Sequence, residues 1–462
     1  MKKQNMLLVY PDQMRGDCAS YMGNPTIRTP GFDQLAKAGV NFKNAYTSFP
    51  LCAPFRSSLM TGKYAHKSGI YTNHYPIPLE QTFLPRLMNE AGYRTGWFGK
   101  WHLDGGRKFC FVPKEYRLGF NEFVGYSRGH NYLNSIYYRN DDPQPYKSKR
   151  YEPDYQTDHI IDFMSLALKD GKPFMGIVCY GLPHTPIDSA PDYYRNLYSP
   201  DDVELPDTVP PWKVEEAKIY RAKYYGLIAC VDKQLQRLTD WLSSNNILDD
   251  TIFIVVSDHG DMCGEYGLNY KSSYYSASMH VPLIIHCPEV VPQGMVIDQL
   301  VDPSVDLMPT ILDLCGLEVP DCVMGKSLRT ALLYGKDPTL NDYVYYQLIK
   351  VSGEAYKVLD VQELKHYPER GLRTKEYLYV EKCGAPFALF DLKRDPEEKY
   401  NCINNVNYLN ILNEMRARLQ QVMEEIGDDW SIAAVLPPPN YQNNEESIAF
   451  HKDLYARAVY ET

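Results

Sequence analysis

The sequence has no run approaching the ~20 apolar residues that a membrane-spanning helix requires. No helical span and no membrane partner is therefore expected. No Cys-x-x-Cys pair occurs, and the eleven cysteines are odd in number and scattered from Cys18 to Cys402. This pattern argues against a zinc site and against a disulfide framework. Most of the cysteines are expected to be small core hydrophobes in a reducing compartment. Basic charge is not in excess: 48 Lys and Arg face 58 Asp and Glu, a formal net charge of -10. That excludes a broad nucleic-acid footprint and leaves room only for a local basic pocket. There is no internal repeat and no low-complexity tract. The opening stretch MKKQNMLLVYPDQ carries two lysines, but its apolar run 6–10 is too short for the h-region of an export signal. The expected location is the cytoplasm for the chain as given, or the periplasm or exterior if an export signal has been removed.

What is present is ordinary globular material: 462 residues, 44% hydrophobic and 23% charged, enough for one large domain and a smaller one. Short apolar runs at 6–10, 95–98, 174–180, 252–257 and 282–286 predict strands. Segments 29–38, 84–91, 217–245 and 304–315 predict helices, the last stopped by Gly316. The alternation predicts an α/β fold with a large mixed, mostly parallel sheet and helices on both faces. Four of these strands are followed by polar or charged residues: Asp12, then Lys100 and His102, then His184, then Asp258 and His259. Ligands of open α/β sheets bind beyond the carboxyl ends of strands, so these residues mark a candidate site. Composition shifts after about residue 350. KEYLYVEKCGAPFALFDLKRDPEE predicts two strands, 407–427 an amphipathic helix, and 447–459 a final short helix after a Pro- and Asn-rich tail. The expected division is a catalytic domain at 1–365 and a C-terminal α+β subdomain with a short antiparallel sheet at 366–462. The tail is a candidate contact for a homo-oligomer.

The stretch SFPLCAPFRSSLMTG poses the chemical question. Pro54 suits the first turn of a helix and Gly62 its end, which puts Cys52 at the helix N-terminus with Arg56 one turn along. A helix N-terminus attracts anions and lowers a thiol pKa. A thiolate beside an Arg and a buried cysteine beside a capping proline both fit. A phosphotyrosine-phosphatase arrangement does not, because position 58 is Ser58.

Cys52, Pro54, Arg56, Thr61 and Gly62 resemble the first signature of the type I sulfatases. GYRTGWFGKWHL resembles their second, with Gly92, Tyr93, Thr95, Gly99, Lys100 and His102 in place. The likeness continues through LPHTP, VVSDHGDMCGEYGL, Lys271 with VPLII after it, and LFDLKRDPEE, so it covers nearly the whole chain. Phe55 departs from the small residue usual there.

The resemblance implies an alkaline phosphatase-like architecture and hydrolysis of a sulfate monoester, with sulfated small molecules or glycans, a carbohydrate above all, as the expected substrates. It implies that a maturase oxidises Cys52 to formylglycine. The hydrated aldehyde attacks sulfur to form a covalent sulfate, then releases it as the aldehyde reforms. It assigns Asp12, Gln13, Cys52, Asp258 and His259 to a divalent metal. Oxygen ligands favour calcium or magnesium, and the imidazole leaves manganese or zinc open. The family commonly shows Asp-Asp and Asp-Asn where this chain has Asp12-Gln13 and Asp258-His259. Lys100 and Lys271 match the lysines that clamp the sulfate, and His102 the base that takes the diol proton. His184 matches the acid that protonates the leaving oxygen, and Arg56 the holder of the hydrated aldehyde. The Tyr-rich segment 124–142 is expected to be a loop by the pocket, where Arg128 or His130 could meet a carboxylate or second sulfate of a sugar. Two other readings stand beside this one. The first is a phosphonate monoester or phosphodiester hydrolase, which the Asp12/Asp258/His259 pattern also resembles. The second is a non-catalytic anion- or glycan-binding protein whose Cys52 is never converted.

Overall fold

The computed structural model describes residues 3–288, 291–351, 366–430 and 459–460. Its strands in chain order are β1 (Asn5–Asp12), β2 (Val40–Ala45), β3 (Arg94–Lys100), β4 (Glu122–Tyr126), β5 (Ile136–Arg139), β6 (Asp142–Lys147), β7 (Phe174–Pro183), β8 (Thr251–Val256), β9 (Leu283–His286), β10 (Met295–Val301), β11 (Tyr343–Val351), β12 (His366–Thr374), β13 (Tyr377–Lys382), β14 (Ala385–Asp391) and β15 (Val459–Tyr460). Eleven of them form one sheet in the order β10-β2-β9-β8-β1-β7-β3-β4-β5-β6-β15. Its centre, β8-β1-β7-β3-β4, is parallel throughout, and antiparallel pairs flank it on both sides.

The central strands read as unbroken apolar runs because both of their faces are covered. In β1, Met6, Leu8 and Tyr10 enter one core and Leu7 and Val9 the other, and all five are fully buried. The helices Pro30–Ala38, Glu152–Lys169 and Val214–Ser244 pack on the second face, and Cys52–Thr61, Leu84–Glu90 and Pro303–Leu314 on the first. Among the described residues, no helix is long and apolar enough to cross a membrane.

The second sheet is an antiparallel meander, β11-β12-β13-β14. Val344, Tyr346 and Leu348 of β11 face a cluster with Tyr46 and Phe49 of the main body, while Tyr345 faces Met415, Leu419 and Met423 of the helix Leu409–Ile426. The meander is thus wedged between the large sheet's domain and its own helix. It recruits β11, so a boundary at residue 365 falls inside this sheet, between β11 and β12. The segment 124–142 also differs from an open loop. β4 and β5 take up much of it, Asp142 begins β6, and 127–135 and the turn 140–141 join these strands. The Pro- and Asn-rich tail lies outside the described residues. So does the expected helix 447–459, apart from Val459, which lies in β15 and pairs with Tyr146 of β6.

Candidate active site

Each expected strand end delivers its residue to one place. Asp12 is the last residue of β1 and Lys100 the last of β3. Gly99 makes the second placement possible: its φ is +108°, and a Cβ there would lie 2.2 Å from the Cys179 carbonyl oxygen. His184 follows β7, and Asp258 and His259 follow β8. Cys52 opens the helix Cys52–Thr61, every residue of which is buried, and Gly62 ends it in the left-handed region at φ 66°.

Asp12 is the hub. Its Oδ2 accepts from Lys100 Nζ at 2.7 Å and from Arg56 Nη2 at 2.9 Å. Its Oδ1 lies 3.8 Å from Cys52 Sγ, and His259 Nε2 lies 3.3 Å from the same sulfur. Arg56 is fully buried, stacks its guanidinium 4.7 Å over Tyr10, and caps the Lys100 carbonyl with Nη1 at 2.5 Å. Burial pushes the Asp12 carboxyl up, but the charges of Lys100, His184 and Arg56 overcome it and hold it well below the usual carboxylate range. Burial and Asp12 also raise the Cys52 thiol, yet Lys100, Lys271 and His259 leave it net lowered.

One donor atom each from Asp12, Cys52, Asp258 and His259 lie within 4.8 Å of one another, and all four residues are buried. Asp258 Oδ2 is buried there with no hydrogen-bond partner. A buried carboxylate oxygen without a donor is costly unless something positive meets it, so this donor set fits a divalent cation. Gln13 lies beside this cluster and is held by three hydrogen bonds. Its backbone N–H donates to Asp258 Oδ1 at 2.9 Å, its Nε2 to Asp261 Oδ2 at 2.5 Å, and its Oε1 accepts from Lys271 Nζ at 2.8 Å.

The cationic side is built in two pairs. Lys271 Nζ meets His184 Nε2, and Lys100 Nζ lies 3.3 Å from His130 Nε2. Burial and the lysine charges push His184 well below the ordinary histidine range; burial, His184 and Lys100 do the same to His130. His102 Nε2 donates to the Asn73 carbonyl at 3.2 Å, which leaves Nδ1 a bare, buried acceptor. That is the electronic state of a base. Arg128 reaches the cluster from its rim. Its Nε donates to the Gly106 carbonyl at 2.9 Å, and its charge reaches the cluster through His102.

Sequence reasoning did not single out Asp261, Asn73 or Tyr132. Asp261 orients Gln13. Asn73 accepts from the Ala53 N–H at 3.0 Å, tying His102 to the Cys52 helix. Asp261 could have been found, since it sits three positions after Asp258 in the same motif. Asn73 and Tyr132 carry no local signal.

The sulfatase family profile matches residues 4–317. The chain belongs to the sulfatase family. A second profile, the C-terminal region of N-sulphoglucosamine sulphohydrolase, matches residues 264–425. The ulvan-active sulfatase of Formosa agariphila is 30% identical over 93% of this chain and 82% of its own length. The N-acetylglucosamine-6-O-sulfatase of Bacteroides thetaiotaomicron is 25% identical over 93% of this chain and 88% of its own. A sulfatase structure from Bacteroides fragilis superposes with a TM-score of 0.84 at 25% identity, covering 94% of this chain and 98% of that one. This sulfatase is accordingly a sulfuric ester hydrolase of alkaline phosphatase-like fold, and membership of the family implies a divalent metal at the four-donor cluster.

Proposed function

We propose that this sulfatase hydrolyses a sulfate monoester on a carbohydrate, with calcium as its cation and with Cys52 converted to formylglycine by a maturase. Two carboxylates, and the oxygen that conversion of Cys52 would add to them, support calcium, and the sulfated-sugar names of the relatives support a glycan substrate. The observation that carries the reading is Cys52 Sγ, set 3.3 Å from His259 and 3.8 Å from Asp12, where the reacting atom of residue 52 must lie.

The cation supplies Lewis-acid polarisation of the sulfate oxygens, and a hydrated aldehyde at residue 52 supplies the oxygen nucleophile. The chain's own groups do the rest. Lys100 and Lys271 hold the sulfate oxygens and offset the charge that grows as the S–O bond breaks. Asp12 keeps Lys100 and Arg56 charged and aimed. His184, once the ring carries a second proton at Nε2, gives that proton to the leaving sugar oxygen and keeps the one on Nδ1, and His102 takes a proton at Nδ1 from residue 52 to release sulfate.

The test uses protein matured in its native host. A tryptic peptide spanning residue 52 should have lost the elements of hydrogen sulfide and gained one oxygen atom, and a panel of sulfated monosaccharides should be desulfated. An unconverted thiol from that host would remove the catalytic reading. A strong preference for an aryl phosphodiester over every sulfate ester would hand the site to phosphonate monoester or phosphodiester hydrolysis instead.

A further inference from the structure

His130 is not part of the four-donor cluster, yet its ring lies flat on that of His184, with centroids 3.8 Å apart and planes at 4°. Its hydrogen bonds fix how it is held. Tyr132 Oη lies within 2.8 Å of the Gly181 carbonyl oxygen and 2.7 Å of the His184 carbonyl oxygen, and a hydroxyl has one proton to give. That proton is committed to a carbonyl. His130 Nδ1, 2.9 Å from Tyr132 Oη, must therefore carry its own hydrogen and donate. The Nε2 of the neutral ring is then a lone pair, and it faces the Lys100 ammonium at 3.3 Å. His184 obeys the same logic. Its Nδ1 lies 2.7 Å from the Thr185 carbonyl oxygen and must donate, so Nε2 accepts from Lys271 in the neutral ring and is the nitrogen that gains and gives the proton in the charged one. The Tyr132 hydroxyl thus braces both rings, one through Nδ1 and the other through its backbone carbonyl.

We infer that His130 is a positioning residue for leaving-group protonation. Its stacked ring fixes the plane of His184, so that Nε2 is presented to the oxygen of the departing alcohol, and Tyr132 fixes His130 in turn. A 3.8 Å parallel contact removes the ring rotation that a lone, partly exposed histidine would keep. This inference rests on the assignment of His184 as the acid, and the test separates the two.

The matured enzyme is assayed on two sulfate esters, 4-nitrophenyl sulfate, whose leaving group departs without a proton, and an alkyl or sugar sulfate, whose leaving group needs one. His184→Ala is expected to lose about 100-fold or more in kcat on the alkyl ester and much less on the aryl ester. His130→Ala is expected to show the same direction of split, with about a 10-fold larger loss on the alkyl ester. His130→Phe, which keeps a stacked ring, should recover most of that split. Melting temperature checks that each variant folds, and His130→Asn replaces the alanine variant if that one does not.

Equal losses on both esters for His130→Ala, beside a clear split for His184→Ala, would overturn the inference alone. So would a phenylalanine variant as impaired on the alkyl ester as the alanine one. No split for His184→Ala would overturn the acid assignment and this inference with it.

Discussion

Two buried ion clusters lie close together in this molecule, and they differ in what they leave unfinished. Around Glu265, every charge is answered. Arg15 Nη1 and Arg221 Nη2 reach Glu265 Oε1 at 2.5 and 2.8 Å, and Thr208 Oγ1 donates to Oε2 at 2.8 Å. Arg15 also grips Asp17 with two bonds of 2.8 and 2.6 Å. Around Asp12, several polar atoms remain buried without a hydrogen-bond partner among the described residues, Asp258 Oδ2, Arg56 Nε and His102 Nδ1 among them. A closed cluster is a device for holding chain segments together. An open one has been assembled for something that arrives later, because an unanswered buried charge costs more than the fold would otherwise bear.

The largest test of that contrast is on the closed side. Glu265→Ala leaves two buried arginines short of a partner and should cost about 3–5 kcal/mol of stability by denaturant titration. Turnover per folded molecule should stay the same; a stable, inactive variant would make Glu265 part of the site. The pH dependence follows. Burial pushes the Glu265 carboxyl up, but Arg15 and Arg221 outweigh it and leave its pKa lowered. Its stabilisation is therefore full above the ordinary glutamate range and is lost as pH falls through the depressed folded value. The alanine variant should show a shallower acid limb.

On the open side, Lys100→Ala should lower kcat by about 100- to 1,000-fold while the melting temperature shows the protein still folded. Near-normal turnover would remove Lys100 from the site. Filling the open cluster should be visible without any substrate. Calcium at about a 100-fold excess over its Kd should add about 2.7 kcal/mol to the stability of chelator-treated protein. The same addition should leave Asp258→Ala unmoved, and a full stabilisation there would place the cation elsewhere. The smallest effect is expected at the seam. Gln13→Ala removes the acceptor of Lys271 and should raise KM by about 10-fold, the worth of one hydrogen bond to a charged group. The calcium titration should be unchanged; a weakened one would make Gln13 a ligand.

Much of the fold was legible because the central strands are buried on both faces. A continuous apolar run such as MLLVY in β1 announces itself, and so does a helix stopped by Gly62. The missed strands lack that signature. β2 is VNFKNA and β12 is HYPERGLRT, short of apolar residues and recognisable only by the strands they pair with. β11 differs: YVYYQLIKV is rich in aromatic and β-branched residues, yet only its pairing with β12 declares its membership of the small sheet. At the site, the residues in the two signatures and at the strand ends came together as the motifs implied. Arg128 was named for its chemistry alone, and only the fold sets its Nε on the Gly106 carbonyl and its charge beside His102.

By itself the sequence determined which chemical groups stand at the ends of which strands, because strand burial and helix capping are properties of a few neighbouring residues. It also determined that Cys52 begins a helix with Arg56 one turn away. Only the tertiary structure decided that Gln13 faces Lys271 and Asp261, that Asp258 keeps an unanswered oxygen, and that His130 lies on His184. Those relations join residues from tens to hundreds of positions apart, and side-chain direction across such gaps is set by packing and hydrogen-bond completion, which no local window of chain contains.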